Sequence, residues 1–200
     1  MTEVYHYSLC PFSRKLRVML KEKGIAHELI SEPIWQRRPE FLQLSPLGET
    51  PVIVEADNVV IAGHTAIYEY IEEKYPHRKL LPENIERRAK LRSIAYWFDN
   101  KFYHEVTKYI LHEKIIKTVA KSGSPHSQAL YVAKQNLGTH MKYIEYLRRD
   151  SRYLSNDELT IADISAAAQI SILDYVGDIS WHSYPEAKEW YSLIKSRPSY

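Results

Sequence analysis

One cysteine, Cys10, serves the whole 200-residue chain. Without a second thiol, an internal disulfide and two-cysteine redox chemistry are both excluded, and an oxidising compartment offers the chain nothing. Charge of one sign is equally scarce. Lys and Arg number 27 against 25 Asp and Glu, a net of +2, which is too little to mark a nucleic-acid binder. No run reaches the roughly 18 uninterrupted apolar residues of a membrane span. The opening Met1-Thr-Glu-Val-Tyr-His-Tyr7 lacks the basic start and apolar run of a signal peptide, so a cytoplasmic location is expected. The nine histidines are scattered without a close pair. His104 and His112 stand about two helical turns apart, so no metal site is expected. Internal repeats and low-complexity tracts are lacking too. What remains, at 44% hydrophobic, is a globular chain with a core. Phenylalanine is short at 4 while tyrosine reaches 16, so aromatic packing here brings hydroxyls that need partners.

The patterning changes character along the chain. Val4 to Tyr7 alternates and favours β structure, which predicts a strand with Tyr5 and Tyr7 on one face and His6 on the other. Phe12, Leu16, Met19 and Leu20 then recur at helical spacing. Pro11 is a natural first helical residue, and Gly24 stands where a helix-ending glycine belongs. His27 to Ile30 reads as a strand, Pro39 to Leu44 as a short helix, and Pro51-Val-Ile-Val-Glu55 as a strand. Asp57-Asn58 marks a hairpin turn into a return strand over Val59 to Ile61. Ala66, Ile67, Tyr70 and Ile71 form another amphipathic helix. That order, β-α-β-α-β-β-α, predicts an α/β thioredoxin-like domain over residues 1–78. After the proline-bracketed connector Pro76 to Asn84, everything is helical in pattern, which predicts an all-α domain over 85–200. Its expected helices are one long or kinked run from Ile85 to about Val119, then Ser127 to Arg149, Thr160 to Val176, and Pro185 to Lys195. The break at Ser122-Gly-Ser-Pro125 reads as a tight reversal, with Glu113, Lys117, Lys121 and Leu130 projecting from the tip.

Thr160-Ile-Ala-Asp163 is the strongest local signal of the helical half. It reads as a capping box, with Leu159 stapling onto Ile164. The run Ser165-Ala-Ala-Ala168 lets neighbouring helices approach closely, which predicts a buried central helix. Glu86-Arg87-Arg88-Ala-Lys90-Leu-Arg92 is a basic face of the kind solvated surfaces carry.

Four pieces together resemble the glutathione-transferase superfamily over almost the whole length. They are Cys10-Pro-Phe-Ser-Arg14, Ser45-Pro-Leu-Gly-Glu-Thr-Pro51-Val52, the helix opening at His64-Thr-Ala-Ile67, and the Thr160–Asp163 box. The resemblance implies a cis Pro51, with Val52 offering its backbone to a peptide-like ligand beside Thr50. Longer strings resemble the alphaproteobacterial FtsZ-localised protein A group within that superfamily: Trp35-Gln-Arg-Arg-Pro-Glu-Phe41, Trp97-Phe-Asp-Asn-Lys-Phe102, Ile172-Leu-Asp-Tyr-Val-Gly-Asp178 and Trp190-Tyr-Ser-Leu-Ile-Lys-Ser-Arg-Pro-Ser199. That group implies a non-catalytic, homodimeric cell-division regulator that binds the tubulin-like polymer FtsZ at the division site. Its members usually run on past the Arg-Pro-Ser segment, where this sequence ends at Tyr200.

Two function classes follow. In the first, a glutathione S-transferase or glutathione-dependent thiol transferase uses Cys10, whose thiolate a helix N-terminus stabilises. Ser13, Tyr5 and Tyr7 are then further possible activators, although strand aromatics usually pack and both tyrosines read as core, and glutathione is the cofactor. In the second, a non-catalytic adaptor without cofactor binds a protein through Trp35, Arg37 and Arg38, and through Glu113, Lys117 and Leu130 at the hairpin tip. Gly63-His64 weighs towards the adaptor. The superfamily normally has Glu-Ser there, and the serine hydroxyl and amide hold the glutathione γ-glutamyl carboxylate. Gly63 has no side chain and His64 cannot copy a serine hydroxyl, although the amides of His64 and Thr65 remain. One charge-assisted hydrogen bond is worth about 1.5–3 kcal/mol, so the loss amounts to roughly ten- to a hundredfold in affinity.

Overall fold

The computed structural model describes residues 1–200, and its chain forms two compact units. Unit one is Met1–Leu80 with Ser199, and unit two is Leu81–Pro198 with Tyr200.

Unit one is a thioredoxin-like domain. It runs β1 (Thr2–His6), α1 (Pro11–Lys23), β2 (His27–Ser31), α2 (Pro39–Leu44), β3 (Val52–Val54), β4 (Val60–Ala62) and α3 (His64–Lys74). The sheet order is β2-β1-β3-β4, with β1 parallel to β2 and antiparallel to β3, and β3 antiparallel to β4. Pro11 opens α1, and Phe12, Leu16, Met19 and Leu20 bury its inner face. Gly24 closes it at φ 69°, where the Gly24 and Ile25 amides take up the Lys21 and Leu20 carbonyls. A side chain at Gly24 would strain that left-handed backbone. The return strand begins one residue later than Val59. The Val59 carbonyl instead closes the turn by accepting the Glu55 amide at 2.9 Å, with Asn58 left-handed at φ 64°.

Tyrosine hydroxyls find the partners that burial demands. Tyr68 Oη donates to the Phe12 carbonyl at 2.9 Å. Tyr70 Oη donates at 3.2 Å to Glu55, a buried carboxylate that also accepts the Thr2 hydroxyl at 2.7 Å and pairs with Lys74 at 3.0 Å. These bonds tie α3 to α1 and to the sheet and so fix where its N-terminus points.

Unit two is all helix. Asn84 caps α4 (Ile85–Tyr96) by accepting the Arg87 amide at 2.8 Å. The run then continues to Ala120 through a π-helical stretch Trp97–Thr107, α5 (Lys108–Leu111), π-helical His112–Ile116 and α6 (Lys117–Ala120). It is thus one helix with widened turns, ended by Lys121 at φ 52°. α7 (Ser127–Arg148), α8 (Ile161–Tyr175) and α9 (Pro185–Lys195) follow. Every residue of α8 from Ile161 to Leu173 is buried, Asp163, Ser165, Gln169 and Ser171 among them, so the helix runs through the core with no solvent face. Its alanines let α4 and the π-helical stretch pack on one side and α9 on another.

Candidate functional site

The cleft of unit one is built where β1, α1, the cis bond and α3 begin or end. Cys10 is the N-cap of α1, with extended backbone at φ −76° and ψ 121°, and only 7% of it is exposed. Its thiol donates to the Thr50 carbonyl at 3.4 Å, and the Thr50–Pro51 peptide is cis. This corrects the expectation for Val52. Val52 lies between two strands, opposite Tyr5 on β1 and Ala62 on β4, so neither of its backbone edges faces open space. The backbone that meets Cys10 belongs to Thr50. Both the Ser13 hydroxyl and the Thr50 hydroxyl are buried without a hydrogen-bond partner.

Tyr5 and Tyr7 serve packing. Tyr5 lies 6.1 Å from Phe41, ring to ring, and Tyr7 meets Trp35 edge-on at 5.4 Å. Arg17 was not anticipated. It stands on the same α1 face as Cys10 and Arg14, at helical spacing that the sequence displays. It donates to the Ser8 carbonyl at 3.1 Å. Burial, with Arg14 beside it, lowers its pKa, and Cys10 works the other way.

Gly63 caps α3 at φ 90°, a backbone that L side chains rarely adopt, and a Cβ there would meet nothing within 4 Å. Backbone strain and not crowding is what favours glycine at this position. His64 turns inward. Its ring stacks on Phe12 with centroids 4.0 Å apart and planes 7° from parallel, and Thr65 Oγ1 lies 3.4 Å from its Nδ1. The imidazole therefore packs against the residues just after Cys10, while Gly63 and Thr65 stay exposed.

The residues expected to bind a partner divide. Trp35 sits half-buried on a 3-10 turn, Ile34–Gln36, and Arg37 is exposed at φ 48° beside Gly48. Leu47, exposed next to it, was not anticipated, and its only sequence signal is an apolar side chain in a turn. Arg38 is occupied, since it clamps the fully buried Glu32 through Nε at 3.3 Å and Nη2 at 2.5 Å. At the hairpin tip, Glu113 is a correction. It does not project: only 6% of it is exposed. It accepts the His126 amide at 2.7 Å and the Lys117 ammonium at 2.6 Å, so it is a structural tie across the reversal. Lys117 is held in that pair, and Leu130 is half-buried.

No three His, Cys, Asp or Glu side chains gather as a metal site would require, and no helix is long and apolar enough to cross a membrane. Residues 9–74 match the glutathione S-transferase N-terminal domain and residues 106–199 match the C-terminal domain of that family. FtsZ-localized protein A of Caulobacter vibrioides is 38% identical over 200 residues, covering 98% of this chain and 88% of that protein. Glutathione S-transferase 1 of Dianthus caryophyllus is 30% identical, with coverage of 84% and 75%. A solved glutathione S-transferase from Rhodospirillum rubrum has 45% identity and a TM-score of 0.97 over 100% of this chain and 90% of its own. FzlA from C. crescentus has 38% identity and a TM-score of 0.95, with coverage of 99% and 89%. The chain belongs to the glutathione S-transferase family, with full-length kinship to FtsZ-localized protein A inside it.

Proposed function

We propose that this protein is a non-catalytic cell-division regulator that binds FtsZ, works in the cytoplasm at the division site, and acts as a homodimer. Support comes from the full-length likeness to FtsZ-localized protein A. The observation that carries the non-catalytic part is His64. Its ring is spent on Phe12 and Gly63 has no side chain, so α3 offers a ligand carboxylate backbone amides and no serine hydroxyl. Glutathione should then bind more weakly than about 1 mM, equivalent to about −4 kcal/mol. Calorimetric titration checks this, and saturation in the low micromolar range would overturn it.

Docking is assigned to Trp35, Arg37 and the exposed Leu47, an aromatic anchor with a cation and an apolar rim. Trp35→Ala should weaken FtsZ co-sedimentation at least about tenfold, as loss of a central anchor does, while Cys10→Ser should leave it unchanged. One observation favours a second reading, a glutathione-dependent thiol transferase. Cys10 sits at a helix N-terminus, where a thiolate is stabilised, against the cis Thr50–Pro51 bond. Disulfide-exchange activity that Cys10→Ser abolishes, together with FtsZ binding indifferent to Trp35→Ala, would replace the first reading with the second.

A further inference from the structure

His140 is the one histidine of α7, and no part of its side chain reaches solvent. Both ring nitrogens are bonded, and both partners come from one other element, the π-helical stretch Trp97–Thr107. Trp97 Nε1 donates to Nδ1 at 3.0 Å, and Nε2 lies 3.0 Å from Glu105 Oε2. An indole has only its N–H to give, so Nδ1 is bare and Nε2 carries the proton. Phe102, fully buried, flanks the imidazole with ring centroids 4.8 Å apart.

The two bonds respond differently to a second proton on the ring. At the Glu105 end the bond gains charge and strengthens. That end is also held by other ties, since Asn136 Nδ2 donates to the Glu105 carbonyl at 3.2 Å and Lys101 pairs with the carboxylate. At the Trp97 end a new Nδ1–H would face the indole N–H across 3.0 Å, donor against donor. Trp97 can give way. It is half-buried, and it stands where α4 passes into the π-helical stretch, a kind of junction at which helices bend. Charge reaches the ring from that stretch, where Glu105 favours the protonated form and Lys101 opposes it. Tyr143, one turn along α7, is kept neutral by burial. The other helices packed on α7, α5 and α9, bring no charge to the ring.

We propose that His140 is an acid-operated latch on Trp97. When the imidazole takes up its second proton, Nδ1 turns from acceptor to donor and the bond from the indole is lost. Trp97 then swings out of the seam between α7 and the π-helical stretch, while Glu105 keeps hold of the ring. The helical unit thus has two states, Trp97 docked or Trp97 released, and a single proton selects between them. The latch lies in unit two alone and does not depend on the FtsZ reading.

The test is nuclear magnetic resonance of the full chain labelled with nitrogen-15, the Trp97 indole signal being identified by its loss in Trp97→Phe. Ring nitrogen shifts report the protonation of His140 in the same samples. The expected result is a Trp97 signal that moves reversibly below about pH 6.5, in step with His140, while the Trp190 indole signal and the helical circular dichroism stay as they were. His140→Gln offers Trp97 an acceptor and Glu105 a donor but takes up no proton, so its Trp97 signal should stay in place down to about pH 5. Glu105→Gln removes the charge that favours the imidazolium and should lower the midpoint by about one pH unit. If His140→Gln does not fold, the Glu105→Gln midpoint decides alone. A Trp97 signal that stays in place while His140 titrates, one that moves equally in His140→Gln, or an unchanged midpoint in Glu105→Gln would overturn the proposal. So would a His140 that gains its proton only as the chain unfolds.

Discussion

His140 can hold only one protonation state where it sits. It is fully buried between Trp97 Nε1, 3.0 Å from its Nδ1, and Glu105 Oε2, 3.0 Å from its Nε2. An indole N–H only donates, so Nδ1 must accept and Nε2 carries the single proton, given to Glu105, which Lys101 also holds. Burial pushes the His140 pKa below its ordinary 6.5 against the pull of Glu105. His6, buried on β1, is lowered too, by burial first and then by Arg17 and His27. For a base with a depressed folded-state pKa, the unfolded chain takes up its proton first as pH falls. Stability is therefore complete above about pH 6.5 and declines on acidification, by at most about 1.4 kcal/mol per pH unit for each histidine. Urea unfolding at stepped pH should show this decline, and His140→Gln should shrink it. A profile flat to the carboxylate range would show that neither histidine is held neutral. Asp163 is the other residue with an outsized role. Its two oxygens accept the Thr160 amide and hydroxyl, both at 2.9 Å, the Leu154 amide at 2.8 Å and the Trp190 indole at 3.0 Å. The bond to the Thr160 amide was legible because a capping box is contiguous in sequence. Those to Leu154 and Trp190 were not, because nothing local announces them. A buried donor left unsatisfied costs about 1–3 kcal/mol, so Asp163→Ala should cost about 3 kcal/mol or more, above the roughly 1 kcal/mol of a cap alone. A melting curve measures it.

At the scale of elements, the longest helix follows the expected run but widens its turns. Hydrophobic spacing called for a long or kinked run from Ile85, and the structure keeps it unbroken by widening its turns over Trp97–Thr107 and His112–Ile116. The side chains on those turns are internal ties. Trp97 and Glu105 hold His140, Asp99 accepts the Ser165 hydroxyl at 3.3 Å, and Lys114 meets Asp178 at 2.7 Å. Asp178 also takes Lys134 of α7 at 3.0 Å, so one carboxylate beyond α8 fastens two other helices. Three of the four strings that resemble the FtsZ-localised protein A group thus supply internal ties, although each also exposes residues such as Lys101, Tyr175 and Lys195. Asp178→Asn should lower stability by about 2 kcal/mol, since two ammonium groups lose a nearly buried partner. Denaturant titration reads this, and an unchanged midpoint would mean that the lysines find water equally well. Glu113→Lys should act in the same way. It strips the His126 amide of its acceptor and sets two lysines together, so a lower melting temperature should accompany any loss of FtsZ binding.

For the whole molecule, assembly is the open quantity. The outer row of α4 leaves Ile85, Ala89, Arg92 and Tyr96 exposed, apolar groups interrupted by one cation. Homodimerisation would cover this row, with the closed two-fold symmetry that soluble proteins favour. Light scattering should give twice the 23.5 kDa of one chain, and Tyr96→Glu should halve that mass. A wild-type mass of one chain at high concentration would remove the dimer from the proposal. The fold itself was legible. Strand alternation, helical spacing, Pro11, Gly24 and the Thr160 box each act over a few residues, and such local signals survive in a linear string. Cys10 at a helix start and Gly63 before His64 were legible for the same reason. What only the tertiary structure decided were pairings across sequence: His64 on Phe12, the Thr50 carbonyl meeting Cys10, Glu113 folded in to His126, and Glu32 under Arg38. A side chain's residue type states what it can bond, but which group stands opposite depends on how distant segments pack. Glu113 in sequence is a helix-surface carboxylate like many others, and it became a buried tie only once the chain reversed and brought the His126 amide to 2.7 Å.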